Sequence, residues 1–378
     1  MPWSPRDVMS LRQEFVLLAQ QEQTNFRELC RRFQISPTTG YALLKRYAQQ
    51  GSAGLQDGSR RPHSSPSRTS IELEQAVVAL RRAHPTWGGR KICARLLELG
   101  HGNVPSPSTV TAILHRHELI SPAASDAATP WQRFEHAHPN ELWQIDFKGH
   151  FDTPAGRCHP LTLLDDHSRY NLLLQACGRT HTAAVQEALT AAFRRYGLPV
   201  RINADNGSPW GSPSQPEHGL TELTVWLIRL GVAVSHSRPR HPQTNGKLER
   251  FHRSLKAEVL NGRSFENLEQ AQAAFTGWRA VYNQQRPHEA LGMATPISRY
   301  RASQRAFVEK LPEIEYGEQD IVVNVKWDGK VNFMGKTLKV SNALKDLPIA
   351  FRPHAQKDGC YTVYFCHQRF MEVDFTLL

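Results

Sequence analysis

Three acidic residues are the ones best placed to do chemistry. Asp146 lies in Trp143-Gln144-Ile145-Asp146-Phe147, Asp205 in Ile202-Asn203-Ala204-Asp205-Asn206-Gly207, and Glu249 in Gly246-Lys247-Leu248-Glu249-Arg250. Carboxylate oxygens are hard ligands suited to magnesium or manganese. Three of them from separate elements can hold two divalent cations, the arrangement that activates an attacking oxygen and stabilises a departing one in phosphodiester chemistry. Each acid also has an ordinary structural reading. Asp205 precedes Asn-Gly, a turn signal. Glu249 stands near a helix start, where the dipole favours it, and could pair with Arg253 one turn on. Asp146 falls inside an apolar strand, where an unpaired carboxylate is costly to bury. Asp165 and Asp166 compete as metal ligands and read as structural, beside a turn into His167-Ser168-Arg169.

The elements that must position these acids follow from periodicity. Leu142 to Gly149, Leu161 to Asp165, Tyr170 to Ala176, Leu198 to Ala204 and Val232 to Val234 read as strands. His181 to Tyr196, Leu220 to Leu230, and the stretches 244–260 and 265–284 read as helices. Asp146 is then within the first strand and Asp205 at the end of the fourth, where a rigid scaffold meets an open loop. Glu249 sits at the edge of a helical stripe of Leu248, Phe251, Leu255 and Val259, among Lys247, Arg250, Arg253 and Lys256. Those cations suit phosphate contact, and Asn245, Lys247, Arg250 and Arg253 are taken as DNA contacts there.

The front of the chain repeats itself. Ser36-Pro37-Thr38-Thr39-Gly40-Tyr41-Ala42-Leu43-Leu44-Lys45-Arg46 aligns with Ser106-Pro107-Ser108-Thr109-Val110-Thr111-Ala112-Ile113-Leu114-His115-Arg116. In both, serine is a good N-cap and proline suits the first helical position. Phe26 to Phe33 and Gly88 to Leu97 supply preceding helices, so two helix-turn-helix units are expected. Their second helices would enter the major groove through Thr38, Thr39, Tyr41, Lys45 and Arg46, and through Ser108, Thr109, Thr111 and His115. Between them, a Gly/Ser/Pro stretch with Arg60 and Arg61 could lay those arginines in a minor groove. Residues 312–378 alternate between β-branched or aromatic and polar residues, with Asp328-Gly329 and Asp358-Gly359 turns, and read as a small β-barrel.

Charge agrees with a polyanionic partner. The 378 residues carry a net charge of +11, of which +6 falls in 1–130, +5 in 131–302 and none in 303–378. The six cysteines form no CxxC pair, which points to free thiols and a reducing cytosol. No apolar run reaches the roughly 18 residues of a membrane span, and the N-terminus lacks a signal-peptide core. The domains expected are a helix-turn-helix at 1–50, a basic linker at 51–69, a second helix-turn-helix at 70–120, a linker at 121–137, an α/β core at 138–305 with a mixed five-stranded sheet, and a β-barrel at 306–378.

Several segments together resemble an insertion-sequence DDE transposase with a retroviral-integrase-type core. They are Trp143-Gln144-Ile145-Asp146, Leu163 to Tyr170, Ala204 to Gly207, His241 to Arg250, and Tyr282-Asn283-Gln284-Gln285-Arg286-Pro287-His288-Glu289-Ala290-Leu291 with Thr295-Pro296. The resemblance implies a ribonuclease-H-like core whose DDE triad is Asp146, Asp205 and Glu249, holding two magnesium (or manganese) ions. It implies binding to terminal inverted repeats, cleavage there, and transfer of 3′ ends to target DNA by a homo-oligomer that is at least a dimer on double-stranded DNA, in a bacterial cytoplasm. The 43 residues between Asp205 and Glu249 exceed the usual spacing, and a loop over 210–218 accounts for the excess. The paired His and Cys of the retroviral zinc domain are missing. A domesticated DNA-binding regulator that does no chemistry, and a nuclease of the same fold, are the alternatives.

Overall fold

A computed structural model describes residues 8–57, 69–120, 135–211, 220–236, 246–354 and 356–376. They form two compact units, Met1–Arg68 and Thr69–Leu378.

In the first unit, α1 (Val8–Ala19), α2 (Phe26–Arg32) and α3 (Pro37–Gln50) enclose Phe15, Val16, Leu29, Cys30 and Leu43. Asn25 caps α2, and Ser36 caps α3 by accepting the Thr39 N–H at 3.1 Å. Gly40 lets α3 approach closely, since a Cβ there would stand 2.9 Å from both Phe15 and Phe26. The expected linker starts differently from its composition. Gly51–Leu55 is a 3-10 turn whose Leu55 is fully buried, with Arg12 donating to the Leu55 carbonyl at 2.7 Å. Gly and Ser say nothing against a turn once one leucine can reach a core.

The second unit opens with α4 (Ile71–Ala83), α5 (Gly89–Glu98) and α6 (Pro107–Arg116) around Leu73, Val77, Trp87, Ile92, Leu96 and Ile113. Ser106 caps α6 as Ser36 caps α3, accepting the Thr109 N–H at 3.3 Å. Both front segments therefore fold as helix-turn-helix modules.

The core runs β1 (Leu142–Phe147), β2 (Phe151–Thr153), β3 (Gly156–Asp165), β4 (Asn171–Cys177), α7 (Thr182–Tyr196), β5 (Arg201–Ala204), α8 (Glu222–Arg229), β6 (Ala233–His236), α9 (Gly246–Leu255) and α10 (Leu268–Gln284). β4, β3 and β1 pair antiparallel, while β1, β5 and β6 pair parallel, a mixed ribonuclease-H-like sheet. The five strands expected are present with a sixth: β2 folds back on the start of β3, pairing Thr153 with Gly156. Three residues carry too little periodicity to announce a strand. One face packs Trp143, Ile145, Leu161 and Leu163 under α7 and α8; the other packs Leu164 and Leu174 under Leu248, Phe251 and Leu255 of α9 and Phe275 of α10. After Leu255 the helix loosens into a π-turn, Lys256–Leu260.

The C-terminal region holds β7 (Ile321–Asn324), β8 (Lys330–Phe333), β9 (Lys336–Lys339), β10 (Pro348–Pro353), β11 (Cys360–Phe365) and β12 (Gln368–Asp374). These form a four-stranded sheet, β12-β11-β10-β7, and a β8-β9 hairpin. Phe333 of the hairpin stacks on Phe351 of the sheet at 4.0 Å, so both share one core, which also receives Val225 and Ile228 of α8. Among the described residues no ladder joins β12 back to β7, so strand pairing does not close the expected barrel. No helix among them is long and apolar enough to cross a membrane.

Candidate active site

Asp146 is the penultimate residue of β1, and Asp205 follows the last residue of β5. These strands are parallel, with Leu142 opposite Arg201 and Gln144 opposite Asn203. The same register two residues further sets Asp146 level with Asp205, on strands about 4.8 Å apart. Both acids thus leave the sheet at carboxyl ends of parallel strands, where open α/β sheets take their ligands. Alternation sends Ile145 into the α7/α8 core and turns Asp146 to the α9 face.

Glu249 is exposed in the first turn of α9. It is close enough to act on Asp146. Burial, then the charge of Asp205, outweigh the Phe147 backbone hydrogen bond and, with Glu249, push the Asp146 carboxyl up to about 7. Asp205 accepts the Gly207 N–H on Oδ1 at 3.1 Å, and its carbonyl is held by His236 Nδ1 at 2.9 Å. Among the described residues, none of the three carboxylates has a cationic side chain at ion-pair distance. Nor, among those residues, do three His, Cys, Asp or Glu side chains close around one point as a finished metal site. A cluster of uncompensated hard oxygens, one of them at the edge of burial, nevertheless fits a divalent cation in charge and donor type.

The competing acids are occupied. Asp165 is fully buried and accepts the Asn140 and Ser168 N–H groups, both at 2.7 Å, with the Ser168 hydroxyl. Asp166 accepts the His136 N–H and Gln144 Nε2, both at 3.0 Å. It also pairs with Lys247. Burial and nearby Arg169 lower the Lys247 ammonium despite that partner. Lys247 was expected on DNA; here its side chain is 17% exposed and its charge is spent on Asp166, beside the start of α9.

The other expected contacts divide three ways. Thr38, Thr39, Lys45, Ser108, Thr109, His115 and Arg253 are exposed, and Tyr41 is 62% exposed while stacking on Phe26 at 4.2 Å. Arg46 donates to the Gln56 carbonyl at 3.3 Å, Thr111 to the Pro107 carbonyl at 2.8 Å, and Arg250 lies 3.8 Å from Glu289. Arg60, Arg61 and Asn245 lie outside the described residues, as does most of the 210–218 loop. A 280 Å³ cavity lined by Lys148, His150, Lys256 and Asn261 opens two residues beyond Asp146; a larger one, 580 Å³, belongs to the first unit and contains none of the acids.

Sequence reasoning passed over three supporting residues. His252, three positions after Glu249, meets the Thr162 hydroxyl at 2.8 Å, and that hydroxyl donates to the Asp146 carbonyl at 2.9 Å. Glu258 on the π-turn accepts Trp278 Nε1 at 2.7 Å and Arg286 Nε at 3.1 Å. Helical spacing from Glu249 could have flagged His252; the others depend on distant contacts.

Burial also fixes a pH response. It pushes the His252 imidazole down to about 4, with Lys148 adding, and His288 down to about 2, with Arg286 and Lys91 adding. Both folded values lie below the unfolded one near 6.5, so the full stability is present above that pH. As pH falls from 6.5 toward 4, the unfolded chain takes up protons that the fold refuses. Stability should drop by about 1.4 kcal/mol per pH unit for each histidine. Urea midpoints from pH 7 to 4.5 test this: His252→Gln should flatten the decline, and an unchanged slope would contradict it.

Family models match several stretches of the chain. Residues 136–242 and 230–296 match models described as integrase core domain, 39–114 a homeodomain-like domain, 11–63 a helix-turn-helix domain, and 320–377 an IS481 family transposase C-terminal domain. The chain is similar to an uncharacterized 31.7 kDa protein of insertion element IS407 from Burkholderia multivorans, 32% identical over 44% of this chain and 57% of that one. It is also similar to an uncharacterized 39.2 kDa protein of insertion element IS476 from Xanthomonas euvesicatoria, 27% identical over 67% of this chain and 72% of that one. The HTLV-2 integrase catalytic core domain, solved in complex with magnesium, is a remote structural likeness: TM-score 0.34 and 18% identity over 44% of this chain and 99% of that one.

Proposed function

We propose that this chain, which belongs to the insertion-sequence transposases built on an integrase core, binds the terminal inverted repeats of its element and catalyses metal-dependent DNA cleavage and strand transfer. The observation that supports this reading is that Asp146 and Asp205 end neighbouring parallel strands, that Asp146 feels the charges of Asp205 and Glu249, and that none of the three has a cationic partner among the described residues. A regulator that does no chemistry would have no use for an uncompensated acid cluster beside the α9 cations. Asp146, Asp205 and Glu249 would hold two magnesium or manganese ions. When bound, such ions supply Lewis acidity and neutralise charge at the scissile phosphate.

The chain's own residues orient the DNA. The exposed N-terminal turns of α3 (Thr38, Thr39, with Tyr41 and Lys45) and of α6 (Ser108, Thr109, with His115) read the repeat in the major groove. Arg253 and Arg250 flank Glu249 and take backbone phosphates. No side-chain nucleophile is required: water attacks first and a freed 3′-hydroxyl second. Two ends must be held together, so the working form is at least a dimer on DNA, acting in the bacterial cytoplasm, with the C-terminal sheets serving assembly or DNA bridging.

The test is incubation of the full chain with a duplex ending in the element's terminal repeat, target DNA and magnesium. Nicking at the end followed by joining is the expected outcome. Nicking without joining would transfer the chain to the nucleases, and binding without either to the regulators.

A further inference from the structure

We propose that His252 is a positioning residue that, through Thr162, sets the helix bearing Glu249 against the strand bearing Asp146. This rests on the reading of those two acids as partners in one site.

The hydrogens can be assigned. Thr162 is fully buried, and its single hydroxyl hydrogen goes to the Asp146 carbonyl at 2.9 Å. The hydroxyl oxygen 2.8 Å from His252 Nε2 must then accept, so His252 carries a proton on Nε2. The relay runs from the His252 N–H to the Thr162 hydroxyl to the carbonyl of Asp146. Thr162 is also the cross-strand partner of Asp146 in the β1–β3 ladder. One hydroxyl therefore joins the two strands and the helix at the level of the first acid.

His252 is well placed for this. It follows Glu249 by three residues, nearly one helical turn, so the two side chains share a face of α9. Lys247, two residues before Glu249, ties the start of the same helix to Asp166. Glu249 thus stands between two anchors on one helix. An exposed glutamate held only by apolar contacts would have lateral freedom, and loss of about 1 Å in placement can cost 100-fold in rate.

Two pairs of variants test the relay. His252→Phe fills the space without a donor, and Thr162→Val keeps the shape without a hydroxyl. Each should lower the strand-transfer kcat by about 10- to 100-fold while KM for the DNA end stays within about twofold. His252→Gln, which returns an N–H near the Nε2 position, and Thr162→Ser should recover most of the rate. The double variant His252→Phe/Thr162→Val should be no worse than the poorer single one, because both break one chain. A second readout needs no DNA: the manganese concentration that gives half the maximal rise in melting temperature should increase several-fold in His252→Phe and Thr162→Val. Unchanged joining and an unchanged manganese midpoint in both would overturn the relay, as would a His252→Gln protein no better than His252→Phe. Glu249→Gln separates the premise: if it retains joining and the manganese response, the triad reading fails irrespective of His252.

Discussion

Asp146→Asn, Asp205→Asn and Glu249→Gln should each reduce magnesium-dependent joining by at least about 1,000-fold, some 4 kcal/mol of barrier, with end binding within about twofold of the parent. The split follows from where the residues stand. The acids lie at the strand ends and on α9, whereas the exposed helix-turn-helix residues lie on α3 and α6. Amides preserve size and remove the charge that would hold a cation. Asp146→Asn carries a second signature that separates a functional acid from a structural one. The carboxylate is partly buried and faces Asp205 and Glu249 with no opposite charge nearby among the described residues. A neutral amide escapes both burial and repulsion. The variant should melt above the parent in metal-free buffer, yet gain little when manganese is added. Thermal scans with and without manganese measure this, and a variant that joins DNA at the parental rate would remove Asp146 from the site.

Much of that site was legible because its local signals agreed with the fold. The apolar run around Asp146 is a strand, Asn206-Gly207 follows the end of β5, and the Leu248, Phe251, Leu255 stripe is the buried face of α9. What the sequence lacked was register: only the β1–β5 pairing puts Asp146 level with Asp205. Lys247 shows the same limit from the other side. As a cation near Glu249 it reads as a phosphate contact, and nothing local reveals that Asp166, 81 positions away, takes its charge. In the C-terminal region β10 and β12 carry little strand signal of their own. β10 is bounded by Pro348 and Pro353, which argue against a strand, and Gln368-Arg369 opens β12 with polar residues. Tertiary pairing to β11 overrides both signals.

Glu258→Ala should destabilise the fold by about 3–5 kcal/mol, the cost of leaving a buried cation unpaired. Glu258 and Arg286 are each only 10% exposed, and they meet at 3.1 Å. The same carboxylate accepts Trp278 Nε1 at 2.7 Å from α10 and the Thr86 hydroxyl at 2.7 Å from the second helix-turn-helix module. Arg286 goes on to donate to Ser254 at 3.0 Å, on the helix that bears Glu249. Alanine would orphan a guanidinium and an indole N–H together, in a neighbourhood where Lys91 already feels the charges of Arg286 and Arg250. Glu258→Gln should lose less, since an amide oxygen can still accept from Trp278 or Thr86 but cannot neutralise Arg286. Thr86→Val removes one contact at the module boundary and should cost only about 1 kcal/mol. That ordering, measured by urea unfolding, identifies Glu258 as the residue through which the α5 side of the second helix-turn-helix module, α10 and the helix that bears Glu249 are joined. If Glu258→Ala fell within 1 kcal/mol of Thr86→Val, the carboxylate would be a peripheral contact and Ser254 would need another anchor. If the ordering holds, Glu258→Gln should also join DNA more slowly than Thr86→Val at equal folded fraction, because only the former loosens the hold of Arg286 on Ser254.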